Sequence, residues 1–213
     1  MKVSRYFSRL ALLAALLHFG CDASINKTIR VQDGKKRNGD LNSVNGSVIV
    51  GNDCEIRGDC RSVNGSIEIG RTSSVGDLTS VNGGIRIESD AVIDGDAESV
   101  NGSVRSKSGV KIEGRLRTIN GDIDLQGTEV KRGIVTINGD ITLADKATVR
   151  GDVIVEDQKG HSNHSRHLDI RIAGESVVEG DVIVEDEDIE VRVILSGGGK
   201  VLGEIKNAEL VRE

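Results

Sequence analysis

A four-residue motif recurs along this chain at nearly constant spacing. SVNG begins at Ser43, Ser62, Ser80 and Ser99, and its variant TING at Thr118 and Thr136, at intervals of 19, 18, 19, 19 and 18 residues. Self-similarity at this period marks a solenoid, in which each repeat is one turn of a coil and buries its apolar face only against its neighbours. A second glycine signal lies inside each unit: IRGDC at 56–60, VGDL at 75–78, IDGDA at 93–97 and IEGRL at 112–116. It returns as VRGDV at 149–153 and VEGDV at 178–182.

Between these turns apolar residues alternate with polar ones, as in Ser66-Ile67-Glu68-Ile69, Gly84-Ile85-Arg86-Ile87 and Asp122-Ile123-Asp124-Leu125. Period two means strands with one buried face. Stacking the units predicts two inward columns: Val44, Val63, Val81, Val100, Ile119 and Ile137, then Val48, Ile67, Ile85, Val104, Ile123 and Ile141. One coil holds too few aliphatic side chains to offset the entropy of ordering its backbone, so stability must come from hydrogen-bond ladders between coils. The fold class read here is therefore all-β, a single-stranded parallel β-solenoid with coils of 18–19 residues. The crossover rule predicts that it is right-handed.

The Asn-Gly pairs are read as corners, where glycine enters the left-handed region without steric cost and asparagine tolerates it. Stacked coils should bring Asn45, Asn64, Asn82, Asn101, Asn120 and Asn138 into a vertical hydrogen-bonded ladder. The same pairs can mark β-hairpins, but hairpins require no strict coil period. The N-G-S triplets match glycosylation sequons, and their fixed place in the coil is already accounted for by turn geometry.

Residues 1–20 read as a signal peptide, with Lys2, Arg5 and Arg9 ahead of an apolar run from Leu10 to Leu17 that is too short to span a bilayer. Gly20-Cys21 resembles the lipobox of bacterial lipoproteins, which implies lipidation at Cys21, a membrane partner through the N-terminal lipid, and a protein facing the periplasm. Cleavage after Ala23 would instead release a soluble secreted protein. Tyr6, Phe7 and Phe19 are the only aromatic residues, so the exported part has none. Without the three leader cations the formal charge of −6 becomes −9. An acidic surface without stacking rings excludes nucleic acid as a partner.

The divisions expected after the leader are a tether over 21–37, regular coils over 38–156, a loop over 157–167, and irregular terminal coils with a C-terminal cap over 168–213. In that cap, Ile189–Leu195 and Lys200–Ile205 would fold over the last coil and keep the protein monomeric or in small oligomers. The repeat turns resemble those of two bacterial groups. One is the bactofilins, polymer-forming cytoskeletal β-solenoids; the other is secreted, adhesin-like repeat proteins. The resemblance implies a structural or interaction role in the cell envelope, with other envelope proteins or a second copy as partner.

Three candidate chemistries remain. His161, His164 and His167 lie together and offer metal ligands if their loop curls, against a plain solvated insertion. Cys54 and Cys60 sit over inward columns and read as small buried apolar residues rather than a disulfide. Glu185, Asp186, Glu187, Asp188 and Glu190 lack the spacing of a calcium loop and read as a solvated rim. No catalytic motif stands in a supporting context, so neither an enzyme nor a cofactor is expected, although glycan-cleaving enzymes also use β-helices.

Overall fold

A computed structural model describes residues 25–157, 166–186 and 189–213. They form a β-solenoid with no helix, in which each coil contributes one short strand to each of three parallel sheets. The first sheet has ten strands, from Ile29–Val31 through Val48–Val50 and Ile67–Ile69 to Ile189–Leu195 and Glu209–Arg212. The second and third have nine each, from Lys36–Asn38 to Lys200–Val201 and from Leu41–Ser43 to Ile205–Lys206. Nine coils result, numbered here from the strand Ile29–Val31.

Strand register follows the sequence period. Val48 pairs with Ile67, Ile67 with Ile85, Ile85 with Val104, Val104 with Ile123 and Ile123 with Ile141. All six are buried and line the first sheet's inner face. Ile56, Val75, Ile93, Ile112, Val130, Val149 and Val178 form the matching column of the second sheet.

The third sheet differs from the expected pattern. Val44, Val63, Val81, Val100 and Ile119 are not core residues but half-buried ones on the outer wall; only Ile137 is fully buried. The inward residue of each motif is its hydroxyl: Ser43, Ser62, Ser80, Ser99, Thr118 and Thr136 are all buried. Alternation from inward Leu41 places Ser43 inside and Val44 outside. Each buried hydroxyl needs a partner, and the stack supplies one. Ser62 donates to the Gly46 carbonyl at 3.0 Å and Ser99 to that of Gly83 at 3.3 Å, while Thr118 and Thr136 bond each other at 3.1 Å.

The Asn-Gly glycines also serve a different purpose from the one expected. Gly46, Gly65, Gly83, Gly102 and Gly121 do not adopt the left-handed conformation; Gly139 alone does, with φ 136°. Their requirement is close stacking. A Cβ on Gly83 would lie 2.3 Å from the Gly65 carbonyl oxygen in the coil before it. The regular left-handed positions fall instead at the corner between first and second sheets, at Gly34, Asp53, Thr72, Asp90, Gly109 and Gly127, with others such as Gly39 and Gly133 between the second and third.

The expected divisions shift at both ends. Residues 29–37 belong to coil 1 rather than to a tether, because Ile29–Val31 and Lys36–Asn38 pair in register with coil 2. Ile189–Leu195 and Lys200–Ile205 continue the sheets in register and do not fold across the end as a cap. Coils 7 and 8 lengthen where they replace the Asn-Gly corner with insertions, so equivalent residues lie 29 and then 23 apart.

Candidate interaction surfaces

At the Asn-Gly corner the side-chain amides form a continuous exposed chain. Asn64 Nδ2 donates to Asn45 Oδ1 at 2.7 Å, Asn82 to Asn64 at 2.8 Å, Asn101 to Asn82 at 2.9 Å, Asn120 to Asn101 at 2.9 Å and Asn138 to Asn120 at 2.8 Å. A further rung, Asn45 to Asn26 at 2.6 Å, extends the series before coil 1. Asn26 lacks the glycine that follows each of the other ladder asparagines. All six amides donate in the same direction, towards the N-terminal end, and they hold the corner in register.

A second series, whose partners no side-chain pattern in the sequence marks, uses the aspartates of the Gly-Asp turns. Asp40 Oδ1 accepts the backbone N–H of Asp59 at 3.0 Å, Asp59 that of Asp77 at 2.9 Å, Asp77 that of Asp96 at 2.8 Å, and Asp96 that of Arg115 at 2.7 Å. Asp152 and Asp181 repeat the arrangement in later coils. At the first corner the carboxyl of Asp33 is held below its ordinary value by the backbone N–H of Asn52 and then by its side-chain amide. Asp181 is likewise lowered, first by Lys206 and then by the Glu204 N–H. These carboxylates act as turn acceptors, which fixes them to the scaffold.

The outer wall of the third sheet carries the aliphatic column from Val44 to Ile119 beside the asparagine ladder. Glu98 lies on the same wall between Thr79 and Arg117. Burial pushes its carboxyl above the usual range, and Arg117 only partly offsets that effect. Further along, the strand of coil 6 has Val135 and Ile137 nearly closed to solvent, at 6% and 1%.

Of the three histidines of the insertion after coil 7, His167 is among the described residues. His167 stands in the strand Arg166–Ile172, opposite Glu190, and its Nδ1 lies 2.9 Å from the Glu190 carboxylate. His161 and His164, like Cys21 and the leader, lie outside the described residues. Next to His167, Asp169 receives Arg192 through two nitrogens at 2.9 and 3.0 Å, and Arg171 at 2.6 Å. Among the described residues no three His, Cys, Asp or Glu side chains come together as metal ligands. Cys54 and Cys60 are buried and free, and burial pushes the Cys60 thiol up to about 12.

The two ends of the rod are unlike. In coil 1 Val31 and Leu41 are buried, and Arg37, in register with Ile56, takes a position that is aliphatic in the later coils. At the other end the corresponding core positions, Val201, Ile205 and Leu210, are only partly covered, Leu210 being 42% exposed. Leu202 beside them is 65% exposed. The strands Lys200–Val201, Ile205–Lys206 and Glu209–Arg212 are the last in their sheets, each with a neighbour on one side only. A cleft of about 330 Å³ opens at this end between Ile189–Arg192 and Asn207–Glu209.

Comparison with family models, with curated proteins and with solved structures gives no match for this chain. The resemblance to bactofilins and adhesin-like repeats rests on the repeat residues alone.

Proposed function

We propose that this protein is a non-catalytic structural module of the bacterial cell envelope, lipid-anchored at Cys21, which assembles with a second copy through its C-terminal end. The observation that carries this reading is the partly uncovered core of the last coil, where Val201, Ile205 and Leu210 meet solvent beside three unpaired strand edges. Such an end combines apolar surface with free backbone donors and acceptors, which favours strand addition by another chain. Its charges are balanced, with Lys200, Lys206 and Arg212 against Glu204, Glu209 and Glu213. Two such ends can therefore meet without net repulsion, as an isologous pair requires.

Analytical ultracentrifugation of the exported protein over a range of concentrations tests this. Assembly should rise with concentration and be lost in Leu210→Lys and Ile205→Lys. A wild-type protein that stays monomeric throughout would overturn the reading.

A further inference from the structure

We infer that coil 1 is a cationic plate that docks on anionic lipid headgroups, so that the rod stands end-on with its C-terminal end directed away from the bilayer. Residues 27–37 hold five cations, Lys27, Arg30, Lys35, Lys36 and Arg37, against the single carboxylate of Asp33. All five are exposed. Towards the other end of the sequence, residues 151–190 hold twelve carboxylates against three cations. The molecule is acidic as a whole, yet the first coil carries net positive charge at one end of the described stack.

Two placements bring charge to the end of the rod, although Lys36 also pairs with Glu55 of coil 2 at 2.6 Å. Coil 1 is the first in all three sheets, so its outer edge is the end face of the described stack. Arg37 occupies a core register position there, in line with the buried Ile56, and is exposed. An aliphatic residue at this position would have left apolar core at the end.

The lipid surface is favoured as partner by where the chain enters. Asn26 already belongs to the asparagine ladder, so only residues 22–25 separate it from Cys21. At roughly 3.4 Å per residue this segment reaches about 17 Å at full extension. That reach is about twice the ~8–10 Å over which a charged membrane acts at physiological salt, so the segment lets coil 1 come within range of the surface. The inference rests on the lipid anchor for bringing the membrane near. The orientation itself comes from the charge distribution.

The test uses the mature protein isolated from membranes and placed in vesicles of phosphatidylcholine alone or mixed ~3:1 with phosphatidylglycerol. A fluorophore is attached at Gln32→Cys in coil 1 or at Leu202→Cys in coil 9; the native Cys54 and Cys60 are buried. Quenching by a headgroup-bound quencher should rise about tenfold for the coil 1 probe when anionic lipid is present, reverse at high salt, and leave the coil 9 probe unchanged. Lys35→Glu combined with Lys36→Glu and Arg37→Glu should abolish the rise, with circular dichroism confirming an intact fold. Equal quenching of the coil 1 probe in both lipids would overturn the inference, as would equal quenching of both ends. So would a salt-sensitive dimer joining coil 1 to the acidic coils that anionic vesicles do not compete away. Cys21→Ser separates the two readings: loss of retention in both lipids reports the anchor, whereas the dependence on anionic lipid reports the plate.

Discussion

Arg117 of coil 5 reaches Glu156 of coil 7, Nη2 to Oε2 at 2.8 Å, across a coil to which neither belongs. The pair straddles the strand Ile134–Thr136 of coil 6, where Val135 and Ile137 are shielded although Val135 faces the outer wall. The side chains are only 14% and 27% exposed, so water screens the contact less than it screens the rim pairs. Arg117→Ala should cost about 1–3 kcal/mol, and a double-mutant cycle with Glu156→Ala should show coupling in urea denaturation. Additive single effects would mean that the pair does not close the wall.

Coil stacking distinguishes adjacent residues of one strand. Ile85 is 1% exposed in the middle of the first sheet's column, while Arg86 beside it faces solvent and lies 3.6 Å from Glu68. Ile85→Asp places an unpaired carboxylate in the core and should cost more than ~4 kcal/mol, releasing neighbouring coils together. Arg86→Asp should change stability by only about 0.5 kcal/mol. Hydrogen exchange resolved by coil checks both.

The corner glycines are testable by contrast. Gly83→Ala drives a methyl group into the Gly65 carbonyl and should lower thermal stability severely, by ~3 kcal/mol or more. Gly34 has open space around it and φ +70°, so Gly34→Ala should cost only the ~1–2 kcal/mol of a left-handed alanine. Equal melting temperatures for the two variants would remove the stacking explanation.

Acidity acts in opposite directions at two kinds of carboxyl. Asp33, Asp181 and Glu55 have lowered folded values, so their contribution is present above the unfolded value and is lost as pH falls through the folded one. Glu98 is raised by burial, so its ionised form opposes folding at neutral pH and the opposition disappears below the unfolded value of 4.5. Denaturation across pH should therefore show stability falling below roughly pH 4. Glu98→Gln should be the more stable variant at pH 7, by on the order of 1 kcal/mol, and should lose that advantage in acid.

The cysteines report on the core. Cys60 is fully buried, with its thiol held at about 12, and Cys54 donates to the Gln32 carbonyl at 3.2 Å. Neither should react with an alkylating reagent in the folded protein, and labelling should follow global unfolding in denaturant. Rapid labelling of either thiol at neutral pH would contradict the packing.

Much of this scaffold was legible in the repeat, because a fixed period with alternating residues determines which strands stack. Val48 to Ile141 and the asparagine ladder fell where spacing placed them. The third sheet misled because hydropathy favours Val44 over Ser43 as the inward residue. A hydroxyl is burial-tolerant only when a carbonyl waits in the next coil, which composition does not reveal. The role of Asp59 and its equivalents was hidden for a related reason: their partners are backbone amides a full coil away. The supposed cap failed on strand length. Ile189–Leu195 runs seven residues because it pairs with the equally long Arg166–Ile172, and an isolated apolar run carries no sign of that partner.

The strands of each coil pair only with those of the coil before and the coil after it, which makes the shaft a ruler graduated in turns of chain. Nine coils at ~4.8 Å each span about 43 Å. Asn82 and Asn101 mark one graduation, 19 residues apart, and duplicating 82–100 inserts another without touching either terminus. Reach can therefore be adjusted by whole steps while the two termini change independently. The insertions after coils 7 and 8 obey the same metric: they add residues at a corner, and the strands that follow resume the count.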